Sequence, residues 1–103
     1  MERIEKLKAF LAQNPEDSFV QHALALEYVK LNDEEAARQQ WEALLKRDEA
    51  YVGSYYHLAK LLERQGKTED AITIYEKGMQ VAKAASDGHA YNELQMAYED
   101  LID

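Results

Sequence analysis

Apolar residues return along this chain at intervals of three and four. Ile4, Leu7, Phe10 and Leu11 form the first such stripe, inside "MERIEKLKAFLAQNPE". That spacing places side chains on one face of an α-helix. Pro15 ends the stripe, because the residue before a proline is pushed out of the α region. Asp17 and Ser18 then offer N-caps, and Ser18 with Gln21 reads as a capping box. The second stripe runs to about Leu31, and Asn32 tolerates the left-handed conformation that closes a helix. Asp33 can cap a third helix carrying Ala37, Trp41, Leu44 and Leu45. The pattern resets near Asp48. A fourth helix carries Tyr55, Leu58 and Leu62 and stops at Gly66. Thr68 is placed to cap a fifth, with Ala71, Ile72, Tyr75 and Met79. "SDGH" (86–89) reads as a loop, and a last helix holds Tyr91, Leu94, Tyr98 and Leu101. Six helices and no strand are predicted, joined by connections of two to four residues. Connections that short make neighbouring helices antiparallel.

The pattern also repeats at longer range. Leu24, Ala25, Asn32, Ala37 and Trp41 return 34 residues later as Leu58, Ala59, Gly66, Ala71 and Tyr75. Two helices of about 14 residues and two turns fill such a period. One pair cannot bury its apolar faces alone, so copies are expected to stack. The size order then has a reason. Ala25 faces Ala37 within one hairpin, and Ala59 faces Ala71 in the next. Facing alanines let helix axes approach toward the short end of the usual range of about 8–10 Å. Bulky neighbours (Tyr28, Trp41, Leu62, Tyr75) fill the space beside them. Asn32 and Gly66 share the turn because both reach positive φ.

On these residues the chain resembles the tetratricopeptide repeat family. Its pattern is matched by Leu24-Ala25, Tyr28, Asn32, Ala37 and Trp41 in one copy. The second copy matches it with Leu58-Ala59, Leu62, Gly66, Ala71, Tyr75 and Gly78. The repeats span 18–51 and 52–85. Residues 1–14 look like the second helix of a truncated repeat, and 87–102 like a capping helix with Gln95 at the small-residue site. The resemblance implies an all-α fold: a short right-handed α-solenoid of antiparallel helix pairs forming one domain over 1–103. A small stand-alone bacterial protein is the nearest overall likeness. The family binds peptides or proteins in a concave groove made by the first helices of successive repeats. That layout directs Phe19, His22, Leu26, Tyr56, Lys60 and Arg64 into the groove, with Met96 from the last helix. Some members clamp a C-terminal carboxylate with Lys, Asn and Arg. Here His22 and Leu26 stand at first-repeat clamp positions and His57 at a second-repeat one, so no clamp is expected.

Composition narrows the chemistry. The chain has 103 residues, 47% of them apolar, one Pro and four Gly. Twelve basic against twenty acidic residues give a net charge of −8. Nucleic-acid and anionic-membrane binding need clustered positive charge, so neither partner is expected. The absence of Cys removes disulfides and thiolate chemistry. No apolar run reaches the about 18 residues of a membrane span. The amphipathic N-terminus lacks the apolar segment of a secretory signal, which leads to a cytoplasmic expectation.

His22, His57 and His89 share no i, i+3 or i+4 spacing, so no metal site is expected. The pairs Glu34-Glu35 and Glu69-Asp70 stand at helix starts, where the dipole favours anions. No nucleophile elbow or phosphate loop is present. No cofactor and no catalytic residue is assigned. The aromatic residues Trp41, Tyr75, Tyr28 and Tyr98 are assigned to the core. The expected function is non-enzymatic binding of a peptide or protein segment in the groove. The alternative is a scaffold that self-associates as a homodimer.

Overall fold

Six helices form where the apolar stripes lie. They are α1 (Glu2–Gln13), α2 (Ser18–Lys30), α3 (Glu34–Arg47), α4 (Gly53–Arg64), α5 (Thr68–Ala84) and α6 (Gly88–Ile102). The structure is a computed structural model and describes residues 2–103, among which there is no strand. The chain divides into two compact units, the first ending at Asp48 and the second beginning at Glu49. The connection from Arg47 to Gly53 spans that division and is longer than the predicted two to four residues, since 48–52 counts five.

In the first unit α2 packs against α1 and α3. Leu24, Ala25, Ala37, Trp41 and Leu44 are buried, both alanines completely. Both alanines of this hairpin thus lie in the core, where the facing-alanine expectation puts them. Asn32 closes α2 at φ 62°, in the left-handed region that its sequence position predicts. Asp33 caps α3 by accepting from the Ala36 amide at 3.2 Å. At the start of α2 one of the two expected caps is used and the other is not. Asp17 is the N-cap and accepts from the Val20 amide at 3.0 Å, whereas Ser18 is the first helical residue. The Ser18 hydroxyl instead donates to Asp48 Oδ2 at 2.6 Å, tying the start of α2 to the end of α3. A tertiary acceptor outcompetes the local capping box here. α1 also differs. Only Ile4 is fully buried, and Phe10 stays 47% exposed.

In the second unit α5 lies against both α4 and α6, and α6 also touches α4. Tyr55, Leu58, Ala59, Leu61, Leu62, Ala71, Tyr75, Ala82, Leu94 and Ala97 form its core. Gly66 turns the chain at φ 76°. Thr68 is not a cap: Lys67 holds that position and supplies no side-chain hydrogen bond. α6 starts inside the segment read as a loop. Asp87 caps it by accepting from the Ala90 amide at 3.0 Å, and Ser86 takes the left-handed turn.

Gly78 shows the closest approach. A Cβ there would lie 2.7 Å from Tyr55 Cβ and 3.1 Å from Leu94 Cδ1. The missing side chain lets α5 lie against α4 and α6 together. Tyr28 and Tyr98, assigned to the core from sequence, are only partly buried. The Tyr98 hydroxyl reaches the surface and donates to Glu76 at 3.1 Å.

Candidate functional site

The six groove residues fall on two helices, Phe19, His22 and Leu26 on α2 and Tyr56, Lys60 and Arg64 on α4. The 34-residue register makes His22 equivalent to Tyr56, Leu26 to Lys60 and Lys30 to Arg64. Each set belongs to a different compact unit.

On α2, Phe19 is 73% exposed, the most exposed large apolar side chain in the chain's described part. Leu26 is half-buried. His22 turns toward α3. Its Nδ1 accepts a hydrogen bond from Trp41 Nε1 at 3.0 Å, and the two rings lie 5.8 Å apart at 53°. A buried indole needs an acceptor, and His22 supplies it. This ring is therefore part of the support of the core, a role that spacing along one helix does not reveal.

On α4 the structure brings residues together more fully. The Lys60 ammonium sits 5.8 Å from the centre of the Tyr56 ring, within cation–π range. The same ammonium lies 3.7 Å from Glu63 Oε2. Glu63 in turn accepts a hydrogen bond from the Tyr75 hydroxyl. Burial first, and that hydrogen bond second, push the Tyr75 phenol far above its ordinary range. Tyr75 thus stays protonated and keeps Glu63 in place as a partner for Lys60. Tyr56 also meets the His57 ring edge-on at 5.7 Å. His57 is held below the ordinary histidine pKa by burial, with Glu93 opposing and Arg64 reinforcing that shift. Arg64 is exposed at the end of α4.

A hollow of about 450 Å³ opens between α4 and α6. Tyr56 and Lys60 line it from α4, and His89, Glu93, Met96 and Asp100 line it from α6. Met96 is 68% exposed there. The hollow is amphipathic and carries both signs of charge, cationic along α4 and anionic along α6. The anionic side adds Glu93 and Asp100 to the residues expected in the groove. Its signal is present in the chain, since His89, Glu93, Met96 and Asp100 repeat at i, i+4, i+7 and i+11. Of these four, Met96 is already expected in the groove. Among the described residues, no group of three or more His, Asp or Glu side chains is arranged to hold a metal ion. No helix among them is long and apolar enough to cross a membrane.

The face that would be convex in a repeat array is occupied by ion pairs. Arg38 bridges Glu35 and Glu42, the latter at 3.1 Å. Glu35 first, by its hydrogen bond, raises the guanidinium pKa further. These groups satisfy one another along α3.

Comparison with known proteins places this architecture. A tetratricopeptide repeat model matches residues 52–84. The solution structure of a tetratricopeptide repeat domain protein from Salinibacter ruber is 41% identical, with a TM-score of 0.82. The match covers 84% of this chain and 88% of that one. A crystal structure of a tetratricopeptide repeat domain protein from the same organism is 40% identical. It covers 82% of this chain and 94% of that chain, with a TM-score of 0.79. A protein from Bordetella parapertussis, 28% identical, covers 96% of this chain and 86% of its own, with a TM-score of 0.82. No curated protein sequence matches significantly. Six helices paired into hairpins, small residues at the crossings and these relatives agree: the chain belongs to the tetratricopeptide repeat family, an all-α helical-solenoid fold.

Proposed function

We propose that this chain is a non-enzymatic binding module that takes a peptide or protein segment on its first-helix surface. Tetratricopeptide repeats generally mediate protein–protein interaction. The observation that carries the finer reading is the hollow between α4 and α6, with Lys60 held over Tyr56. An aromatic wall, an exposed thioether and fixed charges suit a segment with one apolar anchor. Met96 is a side chain that adapts to irregular surfaces. Tyr56 offers a rigid, amphipathic contact of the kind that dominates binding energy. The charges set polarity. Lys60 favours an acidic group on the α4 side, and Glu93 with Asp100 favour basic groups on the α6 side. An amphipathic helix meets these demands with anchors at i, i+3, i+4 and i+7. On α2, in the other unit, Phe19 and Leu26 offer apolar side chains of their own, exposed and half-buried. A net charge of −8 adds a weak overall preference for basic segments.

The test is affinity capture from a cytoplasmic extract, run in parallel on the wild type and on Tyr56→Ala. Proteins enriched on the wild type and lost on the variant support the reading. Identical capture by both contradicts it.

A further inference from the structure

The two end helices expose complementary faces. In the 34-residue register, Leu7 and Phe10 of α1 stand where Trp41 and Leu44 stand in α3 and where Tyr75 and Gly78 stand in α5. Those four residues are buried, the positions being ones that a second helix turns toward the first helix of its own pair. In α1 the same positions are open: Leu7 is half-buried and Phe10 is 47% exposed. α6 shows the converse. With its two-residue insertion, Tyr91, Gln95 and Tyr98 correspond to Tyr55, Ala59 and Leu62. The α4 residues are buried, at 3% exposure or less, whereas all three α6 residues are partly exposed. Ile102 continues the α6 stripe and is 50% exposed. A groove of about 480 Å³ between α5 and α6, lined by Met79, Lys83, Tyr91 and Tyr98 among others, runs beside it.

We propose that α6 of one copy receives α1 of a second copy, so that a first helix and a second helix from different chains complete one repeat. Three observations select a second copy as the occupant. The open face on α1 is a second-helix face, and the open face on α6 is a first-helix face. Neither face complements itself. The charges also match. Arg3 and Lys6 flank Leu7 and Phe10, their side chains 64% and 75% exposed. Arg3 pairs with Glu27 at 3.2 Å and Lys6 with Glu2 at 3.0 Å, surface pairs of little net worth that can be exchanged for new ones. Glu99 and Asp103 flank the α6 stripe and are exposed. The contact is heterologous, so a bound pair still offers one free α1 face on one chain and one free α6 face on the other. Association of this type continues beyond two chains unless a ring closes. The faces used are distinct from the α4–α6 hollow, so this inference stands or falls independently of peptide binding.

Sedimentation velocity over a concentration series tests it, with two variants that each block one face. Phe10→Glu leaves α6 intact, and Gln95→Lys leaves α1 intact. The wild type is expected to show a mass that rises with concentration above the 11.9 kDa of one chain. Each variant alone stays at the single-chain mass. An equimolar mixture forms a species of two chains that grows no further, because only one interface in the mixture is sound. The pair Lys6→Glu and Glu99→Lys, both changed on exposed side chains, reverses charge without altering apolar packing. Each of these variants alone stays at the single-chain mass, whereas their mixture, in which opposite charges face each other at both kinds of contact, grows as the wild type does. Circular dichroism verifies that every variant is helical. A wild type that remains a single chain throughout overturns the proposal. So does a variant that associates as the wild type does, which indicates a symmetric contact, or a mixture that stays at the single-chain mass.

Discussion

Gly78 shows how one missing carbon sets a packing distance. An added methyl group would stand 2.7 Å from Tyr55 Cβ, an atom that cannot swing aside without moving α4. Alanine in place of glycine within a helix gains about 1 kcal/mol of propensity. Overpacking a tight crossing costs about 1–3 kcal/mol. The clash involves a Cβ on a neighbouring helix, so it prevails, and Gly78→Ala should lower the urea midpoint. A stabilised variant would show that α4 and α5 separate easily. Burial lowers the pKa of His57 in the folded state below its ordinary value of 6.5. The unfolded chain then binds more protons than the folded one below about pH 6.5. Stability associated with His57 is therefore complete above that pH and is lost as the pH falls through the folded value. Urea unfolding at pH 7 and pH 5 should show a smaller loss of stability for His57→Asn than for the wild type. An identical loss in both proteins would mean that other groups carry the acid sensitivity.

At the scale of elements, the two complete hairpins share one register and differ at their caps, most directly at the start of the second helix. Asp33 caps α3 through its carboxylate, and the equivalent residue 34 positions on is Lys67, which caps nothing. A side-chain N-cap contributes about 0.5–2 kcal/mol. Lys67→Asp should therefore stabilise the second unit, by about 1 kcal/mol, and Asp33→Ala should weaken the first by a similar amount. Thermal unfolding of both variants checks the pair, and a Lys67→Asp protein that melts no higher than the wild type would count against the register. The positions of these helices were legible in the sequence because a 3.6-residue period and the positive-φ residues Asn32 and Gly66 are local signals. The ends were less legible. Ser18 looked like a cap because Gln21 follows at the right spacing, but its hydroxyl is committed to Asp48, 30 residues away. Thr68 looked like a cap because a threonine hydroxyl standing before an apolar stripe can accept from a first-turn amide. In both cases the helix begins one residue earlier than the side chain's chemistry suggested, so the hydroxyl residue is the first helical one.

At the scale of the molecule, the family and its repeat period were readable, and the candidate site was readable only in part. Tyr56 and Lys60 were found by register, and they do meet. His22 was found by the same register, yet its ring is engaged by Trp41, because the pair is 19 residues apart and forms only when α2 folds against α3. Glu93 and Asp100 were passed over because an acidic residue on a helix of an acidic protein looks like a solvated one until a hollow is seen beside it. The central claim is that the α4–α6 surface binds a partner through Tyr56 and Lys60. Its most direct test is the dissociation constant of one fluorescein-labelled peptide, selected from a displayed peptide library on the wild-type chain and measured by anisotropy. Tyr56→Ala and Lys60→Glu should each weaken binding by about tenfold or more, equivalent to about 1.4 kcal/mol, while the melting temperature stays within a few degrees. Glu42→Lys, on the ion-paired surface of α3, should leave the constant unchanged. Unchanged affinity in both α4 variants, with binding lost in Glu42→Lys, would contradict the account and move the binding surface to α3.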